Sequence, residues 1–201
     1  MNASRTVILR SASGLALLVA LLTPPLRQAL ESSMSLHMLV HYPALLLAGA
    51  LLATAVPRGA RRSLAAWNAL GISGLASCAL VLAVLMIPRV LDLALVDARV
   101  EGAKTAALLF AGAVLYPSWR AAGLVVQGFF LGNVLPMTAI VGTLYQDSPL
   151  RLCNAYRLED QQQLGQGLVW LVIVVALAWL AHAARLFAPK GTAGPDRAVE
   201  I

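Results

Sequence analysis

Charge is what this chain has least of. Only 12% of its 201 residues are Asp, Glu, Lys or Arg, against about a quarter in a soluble domain. That is too little polar surface to cover a globule. Cysteine is nearly absent as well: Cys78 and Cys153 form neither a CxxC pair nor a disulfide framework. No phosphate-binding glycine loop, no Ser-His-Asp set and no paired catalytic carboxylates occur, so the sequence reads as non-enzymatic. Acid is scarcer than base, 9 against 15, for a net charge of +6. The basic residues are scattered over short connectors without an aromatic-basic platform, which argues against nucleic acid as a partner.

What is abundant is apolar. With 60% hydrophobic residues and a mean hydropathy of +0.79, the chain reads as an all-α polytopic membrane helix bundle whose first partner is the lipid bilayer. A span needs about 20 apolar residues. Charge-free runs of that length lie at 32–57, 63–88, 121–146 and 161–184. Two further spans are expected at about 6–25, where Arg10 can snorkel, and at about 98–117. About six transmembrane helices result, forming one domain over 1–189 with a short cytoplasmic tail at 190–201. The start resembles a signal peptide, but Leu15–Leu22 runs into Thr23-Pro24-Pro25 with no small-x-small site, which predicts a retained first span. With the N-terminus inside, the inner segments hold nine basic residues and the outer six, and Arg58, Arg61 and Arg62 share one short loop. Both termini are therefore expected to be cytoplasmic.

At the head of the second run stands Met34-Ser-Leu-His37-Met38-Leu-Val-His41. Met34, His37, Met38 and His41 are spaced i, i+3, i+4 and i+7, so a helix presents all four on one stripe. Two imidazoles with two thioethers form a ligand set suited to copper, and thioethers favour Cu(I). Such side chains are costly at membrane depth unless they have a function; packing methionines and interfacial histidines are the plainer alternative. Met86 and Met137 fall at similar depth and read more readily as packing. Pro43 removes a backbone donor two residues on and leaves the Leu39 carbonyl without its usual partner, which predicts a kink. Asp97, Glu101 and Lys104 stand at the mouth of the fourth span, where the carboxylates can guide or hold a cation beside the stripe, although Glu101 and Lys104 read more readily as a helix-surface pair. Cys153 and His182 read as bystanders, and Glu159 and Asp160 suit the positive start of the last helix.

Several segments together resemble the CtaG family of cytochrome c oxidase assembly factors. His37-Met38-Leu-Val-His41 is similar to that family's His-Met-x-x-His motif, and Leu45 to Val56 to the helix that follows it. The order Pro136…Gly142, Pro149-Leu150, Tyr156, Asp160-Gln161-Gln162-Gln163-Leu164-Gly165 and Trp170 resembles a later family segment. The resemblance covers 31–57 and 98–172, and only hydropathy elsewhere. The chain departs from the family in three ways. Glu101 and Thr105 stand where the family carries a further histidine pair, the glutamine run has one residue extra, and six spans replace the common seven. The resemblance implies a bacterial inner (cytoplasmic) membrane protein, a metallochaperone that delivers copper to the oxidase. Its metal ligands would be His37, His41, Met38 and Met34, and its partner an oxidase subunit or a periplasmic copper carrier. The alternative is a copper or small-solute transporter, for which Asn68, Gln127 and Asn133 are the only inner polar candidates. A haem protein is a poorer fit, because His37 and His41 share a helix face.

Overall fold

The computed structural model describes residues 3–187; the expected tail at 190–201 lies outside them. Among the described residues the chain is helical throughout, with no strand. The helices are α1 (Ala3–Leu22), α2 (Pro24–Glu31), α3 (Met34–Leu36), α4 (Tyr42–Leu52), α5 (Arg58–Trp67), α6 (Ile72–Leu85), α7 (Pro88–Val96), α8 (Ala98–Ala121), α9 (Leu124–Asp147) and α10 (Leu158–Phe187). A π-helical turn, His37–His41, joins α3 to α4, so that Met34–Ala55 is one continuous rod.

The breaks follow local chemistry. Pro24 and Pro25 open α2 and Pro88 opens α7, positions where a missing N–H costs nothing. Asp97 caps α8 by accepting from the Arg99 N–H at 2.8 Å. Gly71 adopts φ +73° between α5 and α6, and a Cβ there would also strike the Ser118 carbonyl. That turn corrects the expected 63–88 helix: its start belongs to α5, Asn68–Gly71 interrupts it, and α6 bends by 75° into α7.

Four helices are long and apolar enough to cross a membrane: Arg5–Leu22, Met34–Ala55, Leu124–Asp147 and Leu158–Phe187. The bent α6–α7 pair makes a fifth if it is one span. The 24-residue α8 is as long but carries Glu101, Lys104 and Arg120, and does not match their apolarity.

The surface exposes many large apolar side chains, and the mostly apolar interior holds a cluster of polar ones. Ile8, Phe129, Ile140, Trp170 and Leu177 are exposed, whereas His37, His41, Glu101, Lys104 and Gln161 are buried. That arrangement suits a hydrocarbon solvent, in which polar groups turn to partners inside the bundle. Glycines bring the helices close enough to do so. A Cβ on Gly49 would run into the Leu109 carbonyl and one on Gly112 into the Leu46 carbonyl, so α4 and α8 cross backbone to backbone. Gly142 and Gly165 make the same reciprocal contact between α9 and α10. The first crossing sets the His37–His41 turn beside the Glu101–Lys104 turn of α8.

Candidate metal centre

The π turn is the local answer to Pro43. Proline cannot donate to the Leu39 carbonyl and its ring crowds that carbonyl. The helix widens one turn earlier, and the Tyr42 N–H bonds back to the His37 carbonyl, five residues away. Such bulges frequently accompany functional sites. All four stripe residues are buried: Met34 and His37 at 0% exposure, His41 at 1% and Met38 at 6%. The His37 and His41 rings lie 5.5 Å apart, tilted by 30°. Met34 and Met38 join the buried cluster that contains Leu45, Tyr145 and Tyr156. Met86 is half-buried against that cluster, Met137 is half-buried on α9, and His182 is exposed.

The third member of the site is Glu31. One ligand atom each from Glu31, His37 and His41 falls within 4.8 Å of the others, a spacing that a single ion can bridge. Ser33 makes this possible: its extended backbone (φ −131°, ψ 141°) turns α2 back across the start of α3. The Nδ1 of His41 is buried without a hydrogen-bond partner, as is the Tyr42 hydroxyl. Buried polar atoms of this kind call for an explanation. An imidazole lone pair beside a second imidazole and a carboxylate fits a borderline cation. Burial pushes the Glu31 carboxyl above its ordinary range; Lys104 pulls it down, Glu101 pushes it up again and Arg27 lowers it.

Lys104 corrects the reading of a helix-surface pair. It is 1% exposed, and Glu101 is buried with it. Its Nζ lies 2.8 Å from His37 Nε2, 3.4 Å from Glu31 Oε1 and 2.5 Å from Glu101 Oε2, with the Tyr42 ring centroid at 5.8 Å. An ammonium can only donate, so His37 Nε2 accepts. The remaining ring proton is then on Nδ1, donated to the Tyr156 hydroxyl oxygen at 2.8 Å.

Tyr156 arrives on a loop, 148–157, that is tied down at several points. Asp92 on α7 accepts from the Asn154 and Ala155 N–H groups at 2.8 and 3.2 Å. Gln161 on α10 accepts from the Leu152 N–H at 2.8 Å and donates to the Tyr145 and Leu150 carbonyls. Cys153 is buried in this loop, and burial, with the Asp92 charge adding to it, pushes its thiol up to about 12. Glu159 and Asp160 lie in the first turn of α10, as expected of acids at a helix start.

Sequence reasoning missed Glu31 and the burial of Lys104. Glu31 has a faint signal: no other acid lies between it and Asp92. Lys104 has none, because its partner His37 is 67 positions away. Tyr156 and His37, 119 positions apart in the chain, meet in space. No family model, curated protein or solved structure matches the chain.

Proposed function

We propose that this protein is a membrane copper-binding factor that holds Cu(I) and hands it on during assembly of a cytochrome c oxidase. The carrying observation is the convergence of the buried His37 and His41 with the half-buried Glu31, the His41 Nδ1 unpartnered. His37 and His41 are the main ligands, Glu31 adds a carboxylate, and Met34 and Met38 supply soft sulfur from the same rod. Tyr156 fixes the His37 ring through Nδ1, the usual way a ligating histidine is oriented. With six spans and both termini cytoplasmic, α8 counting as a span, the site opens on the outer leaflet of a bacterial inner membrane. An oxidase subunit or a periplasmic copper carrier can reach it there. The role is binding and transfer, without turnover of a substrate.

Transport is the weaker reading. The polar groups that a path would need at the other end are committed to neighbours. Asn68 bonds Ser118 at 2.8 Å and the Gly74 N–H at 3.0 Å. Gln127 bonds the Trp119 and Ala122 carbonyls and accepts from the Trp179 indole.

The test is metal analysis of detergent-purified protein expressed with copper, beside a His37→Ala/His41→Ala variant. About one copper per chain in the first and none in the second is expected; equal copper in both refutes the site. Oxidase activity in cells with and without the gene tests the assembly role separately, and equal activity refutes it.

A further inference from the structure

The position of one ammonium group goes beyond the ligand assignment. A lysine on a membrane helix ordinarily snorkels its charge toward the headgroups. Lys104 does the opposite: its side chain is buried and its Nζ sits among His37 Nε2, Glu31, Glu101 and the Tyr42 ring. These are the contacts that a bound cation would make. A metal on His37 Nε2 would sit about 2 Å from that nitrogen. Lys104 Nζ is 2.8 Å from the same nitrogen, so the two cannot share it.

We propose that the Lys104 ammonium is a tethered occupant of the metal seat, and that loading exchanges one cation for another. The inference rests on the metal-site reading above and adds how that site is kept filled and released. A one-for-one exchange suits a monovalent ion. Glu31 and Glu101 are offset by Arg27 and Lys104, and Cu(I) taking the ammonium's place against His37 and Glu31 keeps the charge at that seat unchanged. A divalent ion adds a charge where few waters can solvate it. The lysine also has somewhere to go. A pocket of about 220 Å³, lined by Arg27, Glu31, Val96, Asp97 and Glu101 among others, opens beside the cage. Lys104 can withdraw toward it and stay paired with Glu101, three residues away on the same helix. Return of the ammonium then expels the metal to a partner without leaving the carboxylates bare.

The chain has only two lysines, Lys104 and Lys190, so amine acylation read by peptide mass spectrometry reports on Lys104 with Lys190 as internal reference. Wild-type protein in nanodiscs is treated with buffered Cu(I) under anaerobic conditions. The expected result is acylation of Lys104 that rises about 10-fold or more with copper while Lys190 is unchanged. Zn(II) at equal free concentration serves as the divalent arm, and labelling equal to that with copper overturns the monovalent preference. The second measurement uses Glu101→Gln/Lys104→Met, which removes both charges of the pair and leaves Glu31, His37 and His41 in place. It should bind Cu(I) about 10- to 100-fold more tightly than wild type, the scale on which groups around a metal set its affinity. Copper binding with unchanged Lys104 labelling and unchanged affinity in the double variant overturns the exchange and leaves the metal site standing. Failure of wild type and double variant alike to bind copper overturns both.

Discussion

At one end of α8, Lys104 and Glu101 reach into a cage with Glu31, His37, His41 and Tyr156. About 21 Å along the same helix, counted at 1.5 Å per residue, lies a second set of polar groups: Ser118 with the half-buried Asn68 and, separately, Gln127 on the Trp119 and Ala122 carbonyls. This second set is neutral, and its members are paired with neighbours. Ser118 accepts from Asn68 and donates to the Val114 carbonyl, Asn68 also takes the Gly74 N–H, and the Gln127 oxygen takes the Trp179 indole. The first set is charged, and it leaves the His41 Nδ1 and the Tyr42 hydroxyl without partners. Polar groups that satisfy one another are joints between helices. Polar groups held buried and left open make a place for something else.

The contrast can be broken most directly at Lys104. Lys104→Met leaves the buried Glu101 without its cation, Glu31 keeping Arg27, and should cost about 3–5 kcal/mol of stability. Adding Glu101→Gln should recover most of that loss, read by thermal unfolding in detergent. A single variant no worse than a change in the neutral set would erase the distinction. Tyr156→Phe takes the acceptor from His37 Nδ1 and should weaken Cu(I) affinity about 10- to 100-fold, whereas Trp179→Phe should leave it unchanged. Equal copper titrations for the two would show that the ends do not differ in function. Ser118→Ala should cost about 1–2 kcal/mol, the range for a lost buried hydrogen bond, with copper content unaltered. The smallest effect is at Cys153, buried in the loop that carries Tyr156. Its thiol is held protonated up to about 12 by burial and by Asp92, so maleimide should react slowly at neutral pH and quickly after denaturation. Fast labelling of folded protein would show the loop to be open.

Much of the frame is legible without coordinates. The charge-free runs at 32–57, 121–146 and 161–184 correspond to the rod Met34–Ala55, to α9 and to α10, because length and apolarity are local properties. The i, i+3, i+4, i+7 spacing places Met34, His37, Met38 and His41 on one side, and all four are buried. Pro43 predicts a kink, and the structure has a widened π turn instead, a form that depends on packing. The 63–88 run misleads because hydropathy does not register Gly71, whose positive φ and contact with Ser118 interrupt the helix. Glu101 and Lys104 look like a surface pair because three-residue spacing on a helix is usually that.

By itself, then, the sequence determined a helical, lipid-compatible chain with a histidine-methionine stripe near one end of an apolar rod. Periodicity and hydropathy act over one helix at a time and are written in neighbouring residues. Only the tertiary structure decided that Glu31 folds back over the stripe, that Tyr156 arrives from 119 positions away and that an ammonium from α8 lies among them. Those relations depend on how closely backbones can approach, at Gly49 and Gly112, and on a loop tied down by Asp92 and Gln161. Contacts between distant segments leave no period in the chain.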